Sequence, residues 1–212
     1  MDQVVDDNKL WLERLRRDGK EALAAAMEHF RPRLMRMVEV RMDPRLAGRA
    51  DASDVLQETY LDAARQIESY LAEPRLPVFV WLRYLTWERL MNFYRHNLGA
   101  LKRAVRREVN LPDESSIALG NLLLAPGPSP SREARRTELK ERIEKALAAL
   151  PERDQEVILL RHFEELSNKE TAAVLGLNES TATMRYGRAL VRLKDALAED
   201  SSAAGASGDT RS

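Results

Sequence analysis

The sequence predicts an all-α protein: two helical domains joined by a flexible linker. Apolar residues recur at helical spacing from about Asn8 to Asn97 and again from about Arg132 to Leu197, and no segment alternates as a strand does. Between these blocks the pattern fails. LPDESS leads into a small apolar stretch and then APGPSPS, where proline and glycine deny any regular element. The expected division is a first domain over 8–97, a linker over 98–131, a second domain over 132–198 and a disordered tail over 199–212, EDSSAAGASGDTRS being small and polar.

Along the first block, breaks are expected at Asp43-Pro44 and across Glu73-Pro74-Arg75-Leu76-Pro77, because the residue before a proline is pushed out of the helical region. Residues 51 to 65, DASDVLQETYLDAAR, form a helix that Asp51 or Ser53 can cap. Asp54, Gln57, Glu58 and Leu61 then share one face. An acidic and amide row beside an apolar residue suits docking onto a basic partner helix, and it equally suits plain solubility.

Residues 79 to 95, FVWLRYLTWERLMNFYR, hold six of the chain's twelve aromatic residues, interleaved with Arg83, Arg89 and Arg95. Rings stack on unpaired bases at roughly 1–3 kcal/mol each while arginines hold the backbone, a combination suited to opened DNA. At helical spacing most of these rings belong to the core. Trp81, Leu82, Leu85 and Leu90 are expected inside, with at most two of the six aromatics exposed.

In the second block, Leu150-Pro151 marks a break, with Pro151 suited to the first turn of the next helix. SNKETAAVLGLNESTATMRYGRALVRLKDAL, residues 167 to 197, reads as two helices joined by a tight turn. Ser167 with Glu170 is a capping box, Gly176 ends the first helix, and Asn178 or Ser180 caps the second. On that second helix Ala182, Tyr186, Ala189, Leu193 and Leu197 form one apolar stripe. Thr181, Arg185, Arg188 and Arg192 run along its flank, while Ser180, Met184 and Gly187 point furthest outward. A recognition helix needs this division, one face holding the scaffold and the other offering donors to phosphates and base edges. A helical hairpin with a solvated arginine face has the same pattern.

Composition narrows the chemistry. The absence of cysteine excludes disulfides, thiolate zinc sites and cysteine catalysis. Three scattered histidines, with pairs such as His162 and Glu165 or His29 and Glu28, make no ligand set, so neither a metal, a cofactor nor an enzymatic role is expected. The opening MDQVVDDNKL is acidic and polar, and no apolar run is long enough to span a bilayer, so a cytoplasmic protein is expected. Net charge is zero, with 34 basic and 34 acidic side chains, so nucleic-acid affinity has to come from local patches. One lies between Arg83 and Arg107, with seven Lys or Arg against the single acid Glu88.

Taken in order, ADASDVLQETYLDA, VFVWLRYLTWERLMNFYRHNL and LPERDQEVILLRHFEELSNKETAAVLGLNESTATMRYGRALVRL resemble segments of bacterial RNA polymerase sigma factors of the sigma-70 family, in the small extracytoplasmic-function (ECF) group. The resemblance covers roughly residues 20 to 98 and 132 to 197. It implies a region 2-like bundle and a region 4-like helix-turn-helix, with Asp54, Gln57, Glu58 and Leu61 on the face that docks on the polymerase clamp helices. It places Arg83, Trp87, Arg89, Asn92, Arg95 and His96 in the segment that melts and reads the downstream promoter element, with Glu73, Arg75 and Leu76 in the loop that grips a flipped base. Upstream reading falls on Thr183, Met184, Gly187 and Arg188, with Ser180, Thr181, Arg185 and Arg192 beside them and Arg185 at phosphates. Implied partners are core polymerase through its clamp helices and flap, double- and single-stranded promoter DNA, and an anti-sigma factor or other inhibitor. Thr183, Met184 and Gly187 depart from the side chains many relatives carry, so no upstream consensus transfers. The rival reading is a stand-alone helix-turn-helix regulator, which dimerises on paired half-sites and needs neither the docking row nor the aromatic segment.

Overall fold

The computed structural model describes residues 3–42, 51–97, 119 and 132–206, with side chains at most of these positions. The predicted break at Asp43-Pro44, the basic residues beyond Asn97 and nearly all of the linker lie outside them, as do residues 207–212. Within 98–131 only Leu119 is described, and it is buried. Every regular element among the described residues is helical, as the spacing predicts.

The first unit contains α1 (Gln3–Arg41), α2 (Ala52–Ala72) and α3 (Val78–Asn97), each packed on the other two. α1 is kinked at Gly19, whose φ of +53° and ψ of −121° are accessible at low cost only without a side chain. Its buried face carries Leu15, Leu23, Phe30, Leu34 and Met37; α2 adds Val55, Leu56 and Ile67, and α3 adds Leu82, Leu85 and Leu90. Tyr70 and Trp81 stack face to face at 4.1 Å, and the Tyr70 hydroxyl donates to the Leu76 carbonyl at 2.8 Å, fastening the α2–α3 loop to the core. Asn8 of α1 accepts from the Val78 amide at 2.7 Å, satisfying a donor at the start of α3 that the helix itself leaves orphaned. At the far end of α1 the Tyr94 hydroxyl donates to the Arg41 carbonyl at 2.7 Å.

The chain then forms α4 (Arg132–Ala149), α5 (Glu152–Ile158), α6 (Asn168–Leu175) and α7 (Glu179–Ala206), of which α4, α5 and α7 build the second unit. α5 widens into a π turn over Leu159–Phe163. At its exit the Leu166 amide reaches back to the Leu160 carbonyl at 2.8 Å, one residue further than in a Schellman ending, while Glu165 sits at φ +56°, in the place usually held by glycine. α7 packs on α4 and α5. Ala182, Ala189, Leu193 and Leu197 are fully buried, and Ile143, Leu147, Val157, Ile158, Leu160 and Phe163 complete this core.

Two sequence expectations are corrected. α7 does not stop near Leu197 but runs to Ala206, so the first part of the expected disordered tail is helical; a formed helix adds residues at little cost, and the added segment is rich in alanine. The break at Gly19 was not among the expected ones.

Candidate functional site

The acidic face of α2 is assembled by its cap. Asp51 accepts from the Ser53 amide at 3.3 Å, and Asp54 accepts from the Asp51 amide at 3.2 Å, a reciprocal box that uses one of the four proposed docking residues to start the helix. From there Asp54, Gln57, Glu58 and Leu61 follow one another at helical spacing, and all four are exposed. Leu61 leaves 45% of its surface open, an apolar centre within a polar row.

α3 divides the proposed downstream residues. The segment's expected core residues Trp81, Leu82, Leu85 and Leu90 are buried, and of its six aromatics only Tyr84 is exposed. Arg83 is buried at 5% exposure, which corrects its assignment as a DNA contact: it shares the inward stripe of Phe79, Leu82, Thr86 and Leu90. Arg89 is turned inward as well. Its Nε and Nη2 form a two-pronged ion pair with Asp62 of α2, and Nη1 lies 3.6 Å from the Glu58 carboxylate, so its fork is already occupied within the protein.

Trp87 is half-buried with the Arg41 guanidinium 5.1 Å from its ring centre. Asn92 is half-buried and accepts from the exposed Arg95, while for His96 only the backbone is described. In the loop ahead of α3, Glu73 and Arg75 are exposed and paired at 2.9 Å; Leu76 is half-buried, held by its carbonyl. Tyr84, whose hydroxyl donates to Glu88 at 2.9 Å, is the exposed ring that the sequence reading did not single out as a site.

The helix-turn-helix follows its sequence signals closely. The Ser167 amide donates to Glu170 at 2.8 Å and the Glu170 amide donates to the Ser167 hydroxyl at 3.2 Å, closing the capping box. Gly176, at φ +63°, ends α6 in the left-handed region. Asn178 is the cap of α7, accepting from the Thr181 amide at 2.8 Å, and Ser180 is an exposed first-turn residue. The Asn168 side chain donates to the Glu179 carbonyl at 2.9 Å, tying the beginnings of the two helices together.

With its buried stripe fixed, α7 leaves Ser180, Thr183, Met184, Gly187 and Arg188 exposed, and Thr181 and Arg185 half-exposed on the flank. Tyr186 is half-buried at the edge of the stripe, under the Arg161 guanidinium at 5.4 Å; burial raises its phenol above the ordinary range. A Cβ placed on Gly187 would meet no heavy atom within 4 Å. Arg192 is exposed, and its guanidinium is ion-paired with the buried Asp154 of α5.

Among the described residues no His, Asp and Glu cluster has the make-up of a metal site, and no helix is long and apolar enough to cross a membrane. The geometry offers an exposed row of Asp54, Gln57, Glu58 and Leu61 on α2 and an exposed polar and basic face on α7.

Comparisons with known proteins bear on the family of the chain. The family described as Sigma-70, region 4, matches residues 140–193, from within α4 to about the middle of α7. The chain is 32% identical over 157 residues to the RNA polymerase sigma factor CnrH of Cupriavidus metallidurans, covering 71% of this chain and 75% of that protein. It is 27% identical over 176 residues to the ECF RNA polymerase sigma factor SigD of Mycobacterium tuberculosis, covering 83% of this chain and 77% of the relative. In fold it is similar to CnrH as solved in complex with the cytosolic domain of CnrY, with a TM-score of 0.54 and 21% identity over 91% of this chain and 98% of that one. These likenesses favour the sigma-factor reading over a stand-alone regulator, and the chain belongs to the ECF group of the sigma-70 family of RNA polymerase sigma factors.

Proposed function

We propose that this chain is the promoter-selecting subunit of a bacterial RNA polymerase, docking through α2 and reading upstream DNA through α7. The observation that carries the reading is the division of α7: four fully buried apolar residues on one face, and Thr183, Met184, Gly187 and Arg188 exposed on the other. Such a helix can lie in a major groove without disturbing its own core. Arg188 is placed for a base edge and Arg185 for phosphate.

The first unit supplies the polymerase contact through Gln57, Glu58 and Leu61, with Asp54 shared between this face and the cap. Its α3 and preceding loop present Trp87, Asn92, Arg95, Tyr84, Glu73 and Arg75 to separated strands. Binding energy from docking, stacking and neutralised phosphates offsets the few kcal/mol needed for each unpaired base. Polymerase performs the chemistry, so the chain itself acts as an initiation factor rather than an enzyme. An inhibitory partner is part of the reading, since CnrH was solved with the cytosolic domain of CnrY.

Reconstitution tests the proposal: the full chain added to core polymerase should direct specific starts in vitro. Failure to bind core polymerase, with the fold intact, would contradict it.

A further inference from the structure

Arg89 faces α2 across the interface between α2 and α3. Its side chain is 26% exposed and Asp62 only 17%, so the two-pronged pair between them is largely withdrawn from water. Asp62 also accepts from Arg65 at 3.2 Å. Glu58, one turn before Asp62 on the same helix, is 57% exposed and lies 3.6 Å from the remaining Arg89 nitrogen. Asp54, Glu58 and Asp62 thus form an acidic row at i, i+4 and i+8, and its inner end is held by a cation from another helix. Without that cation, Glu58 and Asp62 would repel and the Glu58 carboxylate would sample several rotamers.

We propose that Arg89 is a positioning residue of the polymerase-docking face, fixing Asp62 and thereby orienting Glu58 toward its partner. This rests on the reading of α2 as the docking surface. Arg89 carries no DNA contact on this reading, since all three of its guanidinium nitrogens are directed at carboxylates of α2. A side chain already ordered in the free protein loses less freedom on docking, so the expected effect of losing Arg89 is a two- to tenfold weakening, about the cost of immobilising one long side chain.

The test is a double-mutant cycle on the affinity of the full-length chain for core polymerase. Glu58→Ala should weaken binding, Arg89→Ala should weaken it about two- to tenfold, and the pair together should be little worse than Glu58→Ala alone. A purely structural role would couple Arg89 to Asp62 but leave its effect unchanged in the Glu58→Ala background. Equal losses with and without Glu58, or no loss on Arg89→Ala, overturn the proposal while docking stands. If replacing Gln57, Glu58 and Leu61 together leaves affinity unchanged, the docking surface itself is wrong and the proposal falls with it. Should Arg89→Ala not fold, Arg89→Lys keeps the charge without the fork, and the same cycle reads the same coupling.

Discussion

Arg192 of α7 is ion-paired with Asp154 in the first turn of α5, joining positions 38 residues apart. Asp154 is buried to 6% exposure, whereas the Arg192 side chain remains 57% exposed. The bond therefore serves the seating of α7 on α5 more than it serves DNA. Arg192→Ala strands a buried carboxylate, and with the outer partner half in water the cost is about 1–2 kcal/mol. In the full chain, hydrogen exchange at α5 and α7 amides should speed up about five- to thirtyfold, with discrimination between upstream sequences unaltered. Asp154→Asn in the same chain should recover part of the loss, because it removes the stranded charge.

Docking is tested most cleanly without touching Asp54, whose carboxylate closes the α2 capping box. Gln57→Ala, Glu58→Ala and Leu61→Ala combined should abolish measurable holoenzyme formation and leave helix content as in the parent. Asp54→Ala alone should also destabilise α2, because the Asp51 amide loses its acceptor while the Asp51 cap itself remains. Co-purification of the triple variant with polymerase would refute the assignment.

Gly187 has no structural reason within its unit, since nothing surrounds the position a Cβ would take. Gly187→Ala should stabilise α7 by about 1 kcal/mol, visible as slower amide exchange along that helix. If the bare backbone allows close approach to DNA, the same change should weaken upstream binding. Tighter or unchanged binding would show that the glycine has no part in recognition.

What could be read in the sequence was local. The Asp51 cap of α2, the Ser167–Glu170 capping box, the Gly176 stop, the Asn178 cap and the buried stripe of α7 depend on residues a few positions apart, and the structure follows those signals. What could not be read was the pairing of distant charges. Arg83, Arg89 and Arg192 look alike as basic residues on helices, yet the first is buried and the other two reach acids 27 and 38 residues away. Asp62 left a faint trace, one turn beyond Glu58 on α2, but its partner depends on how α3 lies against α2. The kink at Gly19 had a signal in Asp18-Gly19, masked by apolar periodicity continuing on both sides. For Glu165 there was none, because a glutamate in the left-handed region is held by the helix ending around it.

If α7 reads sequence, the reading depends on Arg188. It is exposed, one turn from Met184 and clear of the buried Ala182, Ala189 and Leu193, so changing it leaves the fold alone. An arginine base contact is worth about 1–3 kcal/mol, and charge reversal adds repulsion from phosphates. The decisive measurement is a gel-shift series with holoenzyme carrying Arg188→Glu on promoters with the native or a scrambled upstream element. The account predicts normal assembly with core polymerase but loss of preference for the native element; a variant that discriminates as well as the parent would contradict it.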